Sequence, residues 1–552
     1  MLQVRSALVH KALWLSLLLA PQISCQGADL STAPWLPAEA MAMQPMQDRP
    51  YVAAGVEPAA LRARTWKLTH RQYAAAVKAF IGAEVDTSDF EVELDNGVYP
   101  NMSSSGLVRV SLARSYYDSA ERIAAALTAE QLSALIDDPA RPARQALTPA
   151  QKPAFVASAI RRAFRRPPTQ EDLDTYAEIF DQQLGADGDE TSPFRAVIRT
   201  LLSSPFFLYR TEIGADPAQQ AFELTDYEVA SLLSFSLLDD PPAQELLQAA
   251  ARGELTSQAG LVRHVNALLD TPEAATGLQT FMLQWLKLQR FLELDKDAPL
   301  FPEFRAMRPA MLQEALEYLA ANGGMTGTWT GLLTTPIAVA PGLVNYYGGE
   351  PSAQGDVGQR LGVLGLGAVI AAHSRLNGTS PTQRGLFIRD RLLCQQIHLP
   401  PDTVPNIVET LATGLPKTTR EMYEMHAREP ACASCHARLD GIGFSFEHFD
   451  ASGRYRNTEN GVPIDASGEL VDSDVDGPLS SYSDLARRLA NSAWATECMA
   501  LQAFRFYLGQ IEADRGTPAV VAARTALAGG TFRALVTALM TSASVRQRVR
   551  QP

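Results

Sequence analysis

From residue 66 to about 350, apolar side chains recur at three- and four-residue intervals, the spacing that gathers them on one face of an α-helix. Segments 227–238 and 280–288 carry the pattern clearly, and Phe155, Val156, Ile160, Ala163 and Phe164 form another such stripe. Four threonines stand three places ahead of a Glu or Gln: Thr69/Gln72, Thr128/Gln131, Thr148/Gln151 and Thr225/Glu228. That spacing predicts reciprocal capping, in which the Thr oxygen accepts a backbone N–H of the first turn and the Glu or Gln side chain accepts the Thr N–H. Pro149 stands where a helix tolerates proline best. Beyond Thr379 the texture changes. Pro381, Pro400, Pro401, Pro405 and Pro416 interrupt any long helix and predict extended connections. Residues 461–470 combine turn signals with alternation and predict a short β-hairpin, and helices return over 482–508 and 532–545. The predicted fold class is mainly α.

At 552 residues the chain exceeds a single hydrophobic core, and roughly 150 residues per domain predicts three or four packed units. A formal charge of -13 argues against a nucleic-acid partner or an anionic membrane surface, both of which attract basic proteins. The densest basic cluster, Arg161, Arg162, Arg165 and Arg166, reads as a solvated helix face. Trp285, Phe291, Phe301 and Phe304 read as helix packing, because no convergent polar group accompanies them.

Residues 1–28 have the layout of an export signal: Arg5 and Lys11, a mostly apolar run over 12–20, then Pro21 and small residues. The run is shorter than the roughly 20 residues that span a bilayer. No later segment reads as a membrane helix, so the expected location is the periplasm, the cell surface or the medium of a bacterium. Gln22-Ile23-Ser24-Cys25 partly resembles a lipoprotein signal, which makes a lipid anchor at Cys25 the alternative. Residues 29–65, rich in Pro, Ala, Met and Gln, read as a flexible leader between signal and fold.

The most specific chemistry lies in Cys432-Ala-Ser-Cys435-His436, the C-x-x-C-H spacing that attaches a c-type haem. With five Cys and eight His in the chain, roughly 0.0007 chance matches are expected. Two cysteines three apart share a helix face, so both sulfurs reach the vinyl edges of one porphyrin while His436 faces the iron as proximal ligand. The distal side is open to several residues. His426, ten positions before His436, is the first candidate, followed by Met499; Met422, Met425, His373, His398 and His448 are others. Removing Cys25 with the signal leaves four cysteines, and with Cys432 and Cys435 in thioethers the remaining two, Cys394 and Cys498, form the expected disulfide pair in an oxidising compartment. The expected protein carries one covalent haem c and serves an unidentified redox partner protein, as an electron carrier or as the redox part of a haem-dependent oxidoreductase. The rival is a haem-free exported scaffold or binding protein, with Cys432 and Cys435 in a disulfide or on zinc. Zinc would favour a second Cys or His pair, which the chain lacks. Asp472-Ser-Asp474-Val-Asp476-Gly477 copies the first half of a calcium loop, but the position of its bidentate Glu is Ser483. Hydrolase elbows, phosphate loops, dinucleotide fingerprints and H-E-x-x-H are absent from the sequence. Bacterial di-haem peroxidases resemble this chain in having exported C-x-x-C-H sites, yet they need two.

His426-x5-Cys432-Ala-Ser-Cys435-His436, followed by Asp440-Gly-Ile-Gly443-Phe444 and Phe449-Asp450-Ala-Ser-Gly453-Arg454, resembles the planctomycete cytochrome C-like module. That module belongs to large exported multi-module proteins of planctomycetes and myxobacteria. Leu68-Thr-His-Arg-Gln-Tyr73, Ile160-Arg-Arg-Ala-Phe-Arg-Arg-Pro167, Leu224-Thr-Asp-Tyr-Glu228 and Phe301-Pro-Glu-Phe304 resemble their preceding modules in order. Thr379-Ser-Pro-Thr-Gln-Arg-Gly385 with Leu393-Cys394 resembles the start of the cytochrome-like module, and residues 498–509 the closing one. The resemblance covers roughly residues 66 to 552 and implies helical modules over 66–150, 151–215 and 216–350, a cytochrome c-like haem module over 351–460, and a C-terminal hairpin and helical module over 461–552. Met499 lies 63 residues after His436, a placement that resembles the methionine ligand of many small cytochromes c. Two departures stand out: Gly441 where the family usually has Pro, and His448 where it usually has Asn.

Overall fold

Many helix starts in this protein are fixed by side-chain caps. In the computed structural model, which describes residues 60–93, 98–137, 147–186, 188–348, 360–395, 397, 418–428, 430–512 and 515–550, all four expected threonine boxes form. Thr69 opens the helix His70–Ile81, and Gly82, with φ of 72°, closes it. Thr225 opens Asp226–Leu237 through Glu228, whose carboxylate accepts both the Thr225 N–H and hydroxyl. Thr148 caps only a short 3-10 turn, Pro149–Gln151, which leads into Lys152–Phe164. Thr169/Asp172 and Thr418/Glu421 add two further boxes. Each such cap stabilises its helix by about 1 kcal/mol.

Among the described residues the secondary structure is mainly α, with strands confined to small pairings. The described residues form one unit with two apolar clusters. The smaller is made mostly by helices between His70 and Ser203, around Tyr73, Tyr116, Phe155, Phe180 and Phe194. The larger runs from Leu61 to Val545 and draws on the central, cytochrome-like and C-terminal segments together. Trp285, Phe291 and Phe304 belong to it, fully buried, and Phe301 packs against it. The Trp285 indole donates to the Arg391 carbonyl at 2.8 Å, which satisfies its one polar atom.

The basic cluster divides. Arg161 and Arg162 remain partly exposed beside Asp137, and Arg166 pairs with Asp172 at 2.7 Å. Arg165 departs from the expected solvated face. With φ of 58° it ends the helix in the left-handed region, turns inward and donates to the carbonyls of Phe206, Phe207 and Tyr209. Burial brings its pKa down to about 10.

The strands tie distant parts of the chain together. β1 (Leu61–Arg62) runs parallel to β9 (Gln547–Val549), which is antiparallel to β4 (Ala221–Glu223). β2 (Arg64–Lys67) is antiparallel to β3 (Tyr209–Glu212), in a register that sets Arg64 opposite Glu212. Glu212 is buried and lies 2.8 Å from Arg64 and 2.7 Å from Arg548, so one carboxylate joins both pairings.

Several expected elements differ in extent. The helix containing residues 280–285 begins at Pro272 and stops at Trp285, because Lys287 adopts φ of 61°. The long 482–508 helix is two, Tyr482–Ala490 and Ala493–Leu508, with Ser492 capping the second. The final helix, Phe532–Met540, gives way to a 3-10 turn at Ala543–Val545. The single hairpin expected over 461–470 resolves into two. β5 (Thr458–Glu459) pairs with β6 (Val462–Pro463) through Asn460-Gly461, both at positive φ, the arrangement a tight two-residue hairpin requires. β7 (Gly468–Leu470) pairs with β8 (Gly477–Leu479). Each carboxylate of the intervening acidic loop has its own partner: Asp472 pairs with Arg438, Asp474 caps the helix at Ser492–Trp494, and Asp476 accepts from Ser473 within the loop. Its carboxylates are thus engaged in different directions, unlike those of a calcium loop.

Candidate functional site

Two helices build the site. Ser380 caps the first, Pro381–Phe387, with Pro381 at its first position. The chain then widens into a π-helical turn, Ile388–Leu392, a distortion that often marks functional regions. That turn buries Arg389, which donates to the Arg438 carbonyl on the second helix at 2.9 Å. The second helix, Pro430–Phe444, carries Cys432, Cys435 and His436. A rotation of about 100° per residue puts the two cysteines on one side of it.

The two helices meet at glycines. A Cβ on Gly385 would lie 2.1 Å from the Leu439 carbonyl, and one on Gly443 would lie 2.0 Å from the Pro381 carbonyl. Backbone therefore packs on backbone. Gly443→Ala is expected to cost about 1–3 kcal/mol by forcing the helices apart. Gly529→Ala, where a methyl meets nothing within 4 Å, should stay within about 0.5 kcal/mol of wild type when both variants are unfolded in urea. Equal effects would refute the close-contact account. Gly441, where the resembling family has Pro, faces the β7 strand: its added Cβ would sit 2.8 Å from the Glu469 carbonyl.

Between the helices lies a directed hydrogen-bond chain. His436 Nδ1 is 2.7 Å from Asp440 Oδ2, one turn along the same helix. The Thr382 hydroxyl, from the first helix, donates to Asp440 Oδ1 at 2.7 Å and stands 3.5 Å from His436 Nδ1. A neutral imidazole whose Nδ1–H donates to a carboxylate carries its lone pair on Nε2. The side chains of His436 and Asp440 are 14% and 7% exposed, so this contact is shielded from water yet near the surface. Tyr423, from the helix Thr419–His426, lies 6.2 Å from the His436 ring and shares a hydrogen bond with Ser380.

Below these residues Arg384 fixes the loop that follows the second helix. It is buried and donates to the carbonyls of Phe446, Phe449 and Asp450, to Ser374 and to Glu447. Burial raises the Glu447 pKa, although Arg384 and Arg456 pull it down. Arg456 also reaches Glu459, which accepts from both the backbone N–H and the hydroxyl of Thr419 and so holds the start of the Thr419–His426 helix.

Of the expected site residues, Cys435 is a free, partly exposed thiol, and Cys432 is helical with its side chain outside the described residues. His426 ends the helix that packs beside Pro430–Phe444; its side chain also lies outside the described residues. Met499 is wholly buried in the large core, on a helix packed mainly against Pro518–Ala528 and Ile388–Leu392. His373 bonds the Leu286 carbonyl, stacks on Phe387 and is held neutral by burial, its pKa lowered to about 3. His448 bonds the Arg456 carbonyl and stacks on Tyr455. Cys394 and Cys498 form a disulfide. Cys25, the signal and His398 lie outside the described residues. Among the described residues no group of three His, Cys, Asp or Glu side chains is set to hold a metal ion, and no helix is long and apolar enough to cross a membrane. Asp440 and Thr382 enter the sequence reading only as members of family motifs, with no role given to either, although the four-residue step from His436 to Asp440 is the spacing that joins side chains on a helix face.

Comparison with known proteins follows the same division. Residues 152–212 match the family model PSD5, a protein of unknown function (DUF1595). Residues 224–348 match PSD4, a protein of unknown function (DUF1592). Residues 360–459, which hold both site helices, match PSCyt3, a protein of unknown function (DUF1588). No curated protein and no solved structure matches the chain. Three successive matches in this order fit a multi-module protein of the planctomycete type with a cytochrome C-like segment at its site.

Proposed function

We propose that this is an exported, c-type cytochrome-like redox protein that carries one covalent haem. The observation that carries the reading is the 2.7 Å contact from His436 Nδ1 to Asp440, on the same helix as the two motif cysteines. It fixes the ring tautomer that an axial ligand requires, with the lone pair on Nε2. The donor set suits the group: the Cys435 thiol is uncombined, and two thiols three residues apart on a helix can each add S–H across one vinyl group. The haem would supply one-electron exchange between ferric and ferrous iron. His436 serves as proximal ligand. For the distal position His426 is favoured over Met499, because its helix packs on the motif helix while Met499 is committed to the apolar core. The protein's partner is then another redox protein, whether it acts as a carrier or as the redox part of an oxidoreductase.

Exporting the full chain beside a haem-attachment system and staining a denaturing gel for haem tests this. A stained band at the protein's size is expected, and a Cys435→Ser variant should lose one thioether and shift the reduced pyridine haemochrome band to longer wavelength. Protein without stain overturns the reading. A zinc or disulfide scaffold would give that unstained protein.

A further inference from the structure

We infer that Asp440, oriented by Thr382, is a positioning residue that sets the reduction potential of the site. This inference rests on the haem reading above. Asp440 is hydrogen-bonded to His436, and its two oxygens are divided: Oδ2 faces the imidazole Nδ1 at 2.7 Å and Oδ1 takes the Thr382 hydroxyl at 2.7 Å. A carboxylate that accepts the Nδ1–H draws the proton away from the ring, which makes Nε2 a stronger donor. A stronger axial donor stabilises ferric over ferrous iron and lowers the potential. The low exposure of both side chains keeps solvent from screening the effect.

Thr382 acts in the opposite sense. Its hydroxyl donates to the carboxylate and withdraws part of the charge that Asp440 presents to the ring. It reaches the site from the first helix, so the Gly385 and Gly443 contacts that bring the helices together also set how strongly the histidine is polarised. The pair therefore has two controls of opposite sign, one on each helix.

Spectroelectrochemical titration of the haem-loaded full chain separates these roles. Asp440→Asn keeps the shape of the side chain and removes its charge. It should raise the potential by an amount equivalent to at least a tenfold change in the redox equilibrium, about 59 mV for one electron. Thr382→Val leaves the carboxylate without its donor and should lower the potential. The pyridine haemochrome band should stay at the wild-type position in both, since the thioethers are untouched. An unshifted Asp440→Asn potential, or a rise in both variants, overturns the inference, because a purely structural role would loosen the histidine in the same way each time. Thr382→Val carries the test alone where Asp440→Asn is not recovered folded. Wild-type protein without haem overturns the haem reading as well, whereas attached haem with an unshifted potential overturns only this step.

Discussion

Glu212→Gln is expected to lower the folding free energy by about 3–5 kcal/mol, the cost of removing one partner from a buried ionic group. Glu212 is about 1% exposed and accepts from Arg64 Nε and Nη2 and from Arg548 Nε, at 2.8, 3.0 and 2.7 Å. A third guanidinium, Arg210, lies 3.6 Å from the Trp66 ring centroid, with Arg64 at 4.0 Å from the same ring. Burial lowers the Arg210 pKa to about 9, with the Glu212 charge opposing that fall. Glutamine fills the same space but leaves these cations without a counter-charge. The sign with pH follows. Burial alone would raise the Glu212 pKa, but Arg548 and Arg64 outweigh it and bring it from 4.5 down to about 2. A carboxyl depressed in the folded state contributes stability above its unfolded pKa and loses it as pH falls through the folded one. Wild type should therefore lose up to about 3 kcal/mol between roughly pH 4.5 and 2 from this group. Urea titrations followed by circular dichroism across that range test both points. A variant within about 1 kcal/mol of wild type at pH 7, or one with the same acid limb, would sink the argument.

The same triad shows where sequence reading ends. Arg64, Glu212 and Arg548 are separated by 148 and 336 residues, and nothing in local spacing announces that β2, β3 and β9 will converge on one carboxylate. Local signals fared differently. Each Thr-x-x-Glu/Gln box needs only one turn of chain to form, and all four closed as their spacing predicts. Breaks set by backbone conformation were harder to see. Lys287 and Arg165 enter the left-handed region without being Gly or Asn, and the Ala490/Ala493 break between two helices falls within an unbroken apolar pattern. Asn460-Gly461 is a local turn signal of the kind that closes a two-residue hairpin, and it closes the first of the two. At the site, the C-x-x-C-H spacing and its helix were legible because both are local. The Thr382 contact with Asp440 was not, since it depends on two glycines letting one helix backbone rest on another across 58 residues of sequence.

Loss of the Cys394–Cys498 bond is expected to have the next largest effect on stability. The bond spans 104 residues and joins the end of the π-helical turn to the buried helix Ala493–Leu508. Closing a loop of about 100 residues restricts the unfolded chain by up to about 4.7 kcal/mol, and measured bonds usually deliver about 2–4. Cys394 is also fixed from outside the bond, its carbonyl accepting from Arg515 at 2.8 Å, so the helix ends remain in place when the sulfurs part. A Cys394→Ala/Cys498→Ala variant should therefore fold but unfold at lower urea, with about 2–4 kcal/mol less stability. Reductant supplies the discriminating arm. Wild type treated with dithiothreitol under partly denaturing conditions should fall to the level of the variant, while the variant itself should not respond, because thioethers at Cys432 and Cys435 resist thiol exchange. A variant that still loses stability in reductant would place a reducible disulfide at Cys432 and Cys435 instead. That result would remove the sulfurs the haem reading needs.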